Sequence, residues 1–258
     1  MSLPGDLLLR VFVPSVAEVV EFGVFFLLVF RSYSRKRHAD YFDNDNNFVG
    51  LDGEFSIKPE AMGRRALRNI VLSILTCTHG TGCAKRAKDH YESANNMTDR
   101  MAALACLAPN KNPERDEVFK DFYNRYHDYQ LVIDKWFAVQ SSHLRSELID
   151  HLKSLRIHPD FNIKNPNRVR SLYAAFAMNN PAGFHAEDGS GYKFLADAII
   201  ELNDVNPQIA ARLLTPMRDW RRYTKDRQEK MKNELERILE TPDLSPDVFE
   251  IASKSLKA

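Results

Sequence analysis

The sequence predicts an all-α protein, and within that class an α-solenoid of antiparallel helix pairs. Three observations lead there. Glycine is scarce, at 10 of 258 residues, and strand-like alternation is hard to find. From Pro59 onward, apolar residues recur at helical spacing in one short stretch after another. The connecting loops are short, and four carry the same start signal: Asn112-Pro113, Asn165-Pro166, Asn206-Pro207 and Ser245-Pro246. The Asn or Ser side chain can accept from free N–H groups of the first turn, where proline loses no hydrogen bond.

Taken in order, "KPEAMGRRALRNIVLSIL" places Met62, Leu67, Ile70, Val71, Ile74 and Leu75 near helical spacing, with Pro59 in the first turn. Further helices are expected over 84–94, 98–107, 113–126, 130–140, 144–155, 167–178, 191–202, 207–214, 225–239 and 246–256. Short amphipathic helices in succession suit stacked pairs, in the manner of armadillo or HEAT arrays. No consensus recurs at a fixed period, so the repeat is structural. A non-repetitive bundle is the alternative. The solenoid is preferred because no helix is long enough to organise a central bundle.

Composition excludes more than it assigns. Lys and Arg total 36 against 35 Asp and Glu, a net charge of +1, so overall charge implies no nucleic-acid partner. The sparse, odd set Cys77, Cys83 and Cys106 argues against a disulfide framework and for a reducing compartment. Residues 1–54 form an atypical hydrophobic segment and polar linker ahead of a helical domain over 55–258. "VFVPSVAEVVEFGVFFLLVF" (11–30) approaches the ~20 apolar residues that span a bilayer. Pro14, Glu18 and Glu21 interrupt it, and both acids fall on one helical face. A soluble cytoplasmic or organellar protein is expected, with anchoring through 11–30 as the alternative. "RSYSRKRH" (31–38) reads as a solvated linker.

Catalytic sets fail on spacing. "HLRSELIDH" offers His143, Glu147 and His151, but eight helical residues rise about 12 Å, too far for one zinc to reach both histidines. H-E-x-x-H does not occur. "CTHGTGC" gathers Cys77, His79 and Cys83 without C-x-x-C or a paired second half, and reads as a glycine turn between helices. "RDWRRYTKDRQEKMKNELERILE" carries Arg218, Arg221, Arg222, Lys225 and Arg227, and reads as a solvated charged face. No phosphate-loop, nucleophile-elbow or dinucleotide pattern is present.

Six segments stand in order: "GRRALRN" (63–69), "SANNMTDRMAAL" (93–104), "DKWFAVQ" (134–140), "NPNRVRSL" (165–172), "FHAEDGSGYKFL" (184–195) and "NPQIAARL" (206–213). Together they resemble the C-terminal helical domain of alanyl aminopeptidase N, over about residues 55–258, and the ending "VFEIASKSLKA" looks like the plant version. The resemblance implies an armadillo/HEAT-like domain that closes over a zinc-holding catalytic domain and restricts access to its chamber. This chain has neither H-E-x-x-H nor the amine-binding G-A-M-E-N. It is therefore expected to be truncated relative to the family, to hold no cofactor itself and to be inactive alone. The family's zinc would sit in the missing domain. Expected partners are that catalytic domain or peptides. A free-standing solenoid adaptor, with or without a membrane tether, is the second reading.

Within "NPNRVRSL", Arg168 and Arg170 place positive charge at a helix N-terminus, an unfavourable arrangement. They imply a partner anion, either a structural carboxylate or the carboxylate end of a peptide. Arg168, Arg170 and Arg212 are the candidate peptide- or carboxylate-binding residues. Gly189 and Gly191 are expected to allow a tight turn with positive φ, and Asp188 to cap the next helix.

Overall fold

The computed structural model describes residues 54–76, 82–143 and 147–257. The hydrophobic segment 11–30, the basic run 31–38, Cys77 and His79 lie outside them. All regular structure among the described residues is helical, and the chain divides into two compact units, Met1–Leu107 and Ala108–Ala258.

In the first unit, α1 (Pro59–Thr76), α2 (Cys83–Ser93) and α3 (Met97–Leu107) pack on one another around Leu72, Leu75, Ala87, Tyr91, Leu104 and Leu107. The second unit opens with α4 (Pro113–Tyr126) and α5 (Gln130–Ser141). The indole N–H of Trp136 donates to the carbonyl of Phe119 at 3.1 Å, which sets the antiparallel register of that pair. Then follow α6 (Leu148–Arg156), α7 (Pro166–Val169), a π turn over Arg170–Ala174 and α8 (Ala175–Asn179). The short α9 (Pro181–Phe184) leads to α10 (Ser190–Asn203) and α11 (Pro207–Leu213). Two 3-10 turns, Thr215–Met217 and Trp220–Arg222, precede α12 (Lys225–Leu239) and α13 (Pro246–Lys257).

The last four helices show the stacking rule. Lys230 donates to the carbonyl of Glu187, and Arg237 reaches Asp197 at 2.7 Å, so α12 runs alongside α10 in the same direction. Asn203 ties the two ends together, accepting from Ser245 N at 2.8 Å and donating to the Asp243 carbonyl at 3.2 Å. Hairpin α10–α11 is thus followed by hairpin α12–α13 laid on it in parallel, the geometry of a helical repeat.

The start signals act as expected. The side chains of Asn112, Asn165 and Asn206 accept from first-turn amides at 2.8, 3.0 and 3.1 Å, and Ser245 from Val248 N at 3.4 Å. Asn180-Pro181 is a fifth copy, capping α9 through Gly183 N at 3.1 Å. Its helix is too short for periodicity to reveal.

Three expectations need correction. The helix foreseen over 144–155 begins at Leu148, because Glu147 takes a left-handed φ of 55°. Arg218, Arg221 and Arg222 sit on or beside the 3-10 turns rather than on a charged helix. Arg221 donates to the carbonyls of Ser255 and Leu256 at the end of α13. Gly189 has the expected positive φ of 77°, but Gly191 is required by a close approach instead. A Cβ on Gly191 would lie 2.4 Å from the Phe184 carbonyl oxygen and 2.8 Å from that of Gly183. Asp188 does serve the start of α10, accepting from Ser190 N at 2.9 Å, and that bond holds its carboxyl below the usual range.

Backbone cannot yield as a flexible side chain does, so Gly191→Ala is expected to destabilise by about 1–3 kcal/mol. Gly63 lies exposed within α1 with open space around it. Gly63→Ala is expected to stabilise by about 1 kcal/mol through helix propensity. Chemical denaturation followed by circular dichroism reads both signs, and equal effects at the two glycines would refute the contrast.

Candidate functional site

Two residues apart on a helix means about 200° around its axis, so Arg168 and Arg170 point in opposite directions. Arg168 is fully buried. Its Nε donates to Asp134 Oδ1 at 2.7 Å, its Nη2 to Gln130 Oε1 at 2.9 Å, and its Nη1 to the Asp160 carbonyl. The guanidinium lies over the Phe137 ring, 4.7 Å from the centroid. The Asp160 carboxylate accepts from the Tyr123 hydroxyl, a bond that pushes that phenol up to about 12. Of the two anions left open by the sequence, a structural carboxylate or a peptide terminus, Arg168 faces the first. The π turn that follows re-phases the helix, so Ser171, Leu172 and Tyr173 are buried in succession.

Arg170 is exposed and bonds locally, donating from Nη1 to Asn167 Oδ1 at 3.0 Å. Arg212, also exposed, lies on α11 in the wall of an open groove of about 1000 Å³ between α11 and α13. Arg218 lines the same wall, and Lys254 and Lys257 project from α13 on the other. Ala211 and Ile251 supply apolar surface between them. The acids of the groove are Asp247 and Glu250, the latter paired with Lys254 in the helix. The three candidate arginines therefore belong to different surroundings: one in the core, one on the surface, one in the groove. Sequence reasoning missed Lys254 and Lys257, although Asp247, Glu250, Lys254 and Lys257 recur at three- and four-residue steps, which align on one helical face.

The other recognised motifs also meet in the interior. In the first unit, Asp99 of "SANNMTDRMAAL" is buried and pairs with Arg68 of "GRRALRN". It also accepts from Asn69 Nδ2 at 2.9 Å and Asn96 Nδ2 at 2.8 Å, and Asn69 Oδ1 lies 2.9 Å from His90 Nε2. In "FHAEDGSGYKFL", His185 Nδ1 lies 2.8 Å from the Tyr192 hydroxyl, and its ring packs on Tyr223 with centroids 4.2 Å apart. Burial of Tyr192 pushes its phenol up to about 12.

Among the described residues, no group of three or more His, Cys, Asp or Glu side chains is placed to hold a metal ion. His143 lies beyond the end of α5 and His151 within α6, and both are half-buried rather than solvated. The described residues do not fit a zinc centre. No described helix is long and apolar enough to cross a membrane.

Truncating Arg168 leaves the largely buried Asp134 carboxylate without its counter-ion. Arg168→Ala is expected to cost about 3–5 kcal/mol, with incomplete rescue by lysine, which lacks the planar fork. A variant of wild-type stability would remove Arg168 from the core. A pH effect follows from three imidazoles. His90, His158 and His185 are each held below their ordinary value of 6.5, in each case chiefly by burial. Asp99 and Asp160 oppose the shift at the first two, while Arg227 adds to it at His185. The unfolded chain therefore takes up protons first on acidification. The stability these groups contribute is present above about pH 6.5 and is lost as pH falls through the folded values. Melting temperature should drop between pH 7.5 and 5.5, with a shallower slope in His185→Gln; a flat profile would contradict the assignment.

The comparisons with known proteins fit this picture of an all-helical domain. A family model described as "Domain of unknown function (DUF3458_C) ARM repeats" matches residues 36–257. Aminopeptidase N of Caulobacter vibrioides is 40% identical over 206 residues, 80% of this chain and 24% of that protein. Aminopeptidase N of Escherichia coli K12 is 39% identical over 208 residues, 81% and 24% respectively. The crystal structure of Legionella pneumophila aminopeptidase A in complex with aspartic acid superposes with a TM-score of 0.77 at 27% identity. That match covers 95% of this chain and 29% of the other. The chain thus spans about a quarter of the length of the curated relatives it matches. It belongs to the DUF3458_C family of ARM-repeat domains, the C-terminal domain of aminopeptidase N-type proteins.

Proposed function

We propose that this chain serves as a substrate-access domain that lies against an aminopeptidase N-like catalytic domain and performs no bond cleavage itself. One observation carries the reading: the buried charged side chains of four family motifs are spent on internal contacts. Asp99 and Arg68 are locked together in the first unit, Asp134 and Arg168 in the second. Such residues hold helices in register and leave recognition to the surface. Zinc and the amine-binding acid belong, in this reading, to the catalytic domain. Arg170 and Arg212, exposed as they are, would meet peptide carboxylates, with Arg168 holding the helix that carries Arg170. The domain boundary is proposed near residue 55. A free-standing peptide-binding adaptor is the second reading, favoured by the open α11–α13 groove.

Complementation tests it. The chain is mixed with the catalytic part of E. coli aminopeptidase N produced without its own C-terminal quarter, and alanyl arylamide hydrolysis is followed. The expected result is no turnover by the chain alone, a complex on gel filtration, and altered turnover of the mixture. Chelator-sensitive turnover by the chain alone would overturn the non-catalytic assignment. Absence of both complex and effect would overturn the docking role.

A further inference from the structure

We infer that the groove between α11 and α13 binds acidic peptide segments in extended form. Both walls carry cations: Arg212 and Arg218 on one, Lys254 and Lys257 on the other. Lys254 is matched by Glu250 on its own helix. Arg212, Arg218 and Lys257 have no ion-pair partner among the described residues, and Asp247 is the remaining acid of the groove. The groove thus keeps an excess of positive charge while the whole chain is nearly neutral, at +1. Its α13 wall runs from Asp247 to Lys257, ten residues of helix or about 15 Å, a span that an extended peptide of about four or five residues matches. Ala211 and Ile251 give apolar footing between the walls, so alternating acidic and apolar side chains suit it.

A single exposed ion pair contributes little. Selectivity therefore comes from several carboxylates engaging both walls at once, and it weakens with salt. This deepens the peptide-recognition part of the function proposed above and rests on the groove alone. The test uses this chain without any catalytic domain, so a failure here and a failure of complementation are separate results.

The probe is a fluorescein-labelled hexapeptide alternating glutamate and leucine, titrated by anisotropy against the full chain. A counterpart with lysine in place of glutamate serves as comparison. The acidic peptide should bind at least tenfold tighter, and 0.5 M NaCl should weaken it by a similar factor. Arg212→Glu/Arg218→Glu should lose tenfold or more, and Lys257→Glu, on the opposite wall, several-fold. Lys120→Glu on α4 should change nothing. All these side chains are exposed, and circular dichroism checks that each variant is folded. Equal binding of the two peptides would overturn the proposal, as would affinity that survives reversal on both walls. Tighter binding of duplex DNA or of phosphatidylserine vesicles than of the acidic peptide would overturn it too.

Discussion

A guanidinium with no access to water has to find its anion and its acceptors inside the fold. Arg168 meets that demand by drawing on two places at once: Gln130, Asp134 and the Phe137 ring of α5, and the carbonyl of Asp160 in the α6–α7 connection. Move Asp134 and a charge is left buried without its counter-ion; move the others and it loses acceptors. That penalty fixes how α7 sits against α5 more sharply than apolar packing can, since apolar surfaces slide with little cost. The π turn after Arg168 then delivers Ser171, Leu172 and Tyr173 into the core in sequence. The aromatic ladder from Phe137 through Phe161 and Tyr173 to Phe194 builds on that placement.

What was legible in the sequence is what depends on near neighbours. Asn206 and Pro207 act on amides within one turn, so the start of α11 could be read directly, and so could the starts of α4, α7 and α13. The same Asn-Pro signal at 180–181 was overlooked because α9 is a single turn with no period to support it. The failures lie where a distant partner or one special backbone angle decides. Nothing near Glu147 announces a left-handed residue, so the start of α6 at Leu148 is not legible locally. Gly191 looked like a turn glycine, but its reason is the carbonyl of Phe184, which comes close only because α9 folds back on α10.

The candidate site divides in the same way. Two arginines beside a helix start imply an anion, since bare positive charge there is unfavourable; Arg168 meets Asp134, while Arg170 bonds the amide oxygen of Asn167. Which anion depended on Asp134, 34 residues earlier, and no local pattern could supply it. The recognised motifs "DKWFAVQ" and "NPNRVRSL" are the two sides of that one contact. "GRRALRN" and "SANNMTDRMAAL" likewise meet at Arg68 and Asp99. In these four motifs the buried charges hold helices together, whereas exposed motif residues such as Arg170 and Arg212 are left facing outward.

A stacked-helix architecture separates holding from binding. Each hairpin ties itself to its neighbour, as α10 and α12 do through the exposed pair Asp197 and Arg237 and through buried Asn203 with Ser245. What remains outward along α11 and α13 is free of that duty. Arg212, Arg218, Lys254 and Lys257 can therefore concentrate charge on one groove without weakening the core beneath, where Leu213, Val248 and Ala252 are buried. Substitutions there should be nearly silent in stability, unlike those at Arg168. This separation lets one helical scaffold keep its shape while its exposed faces change what they recognise.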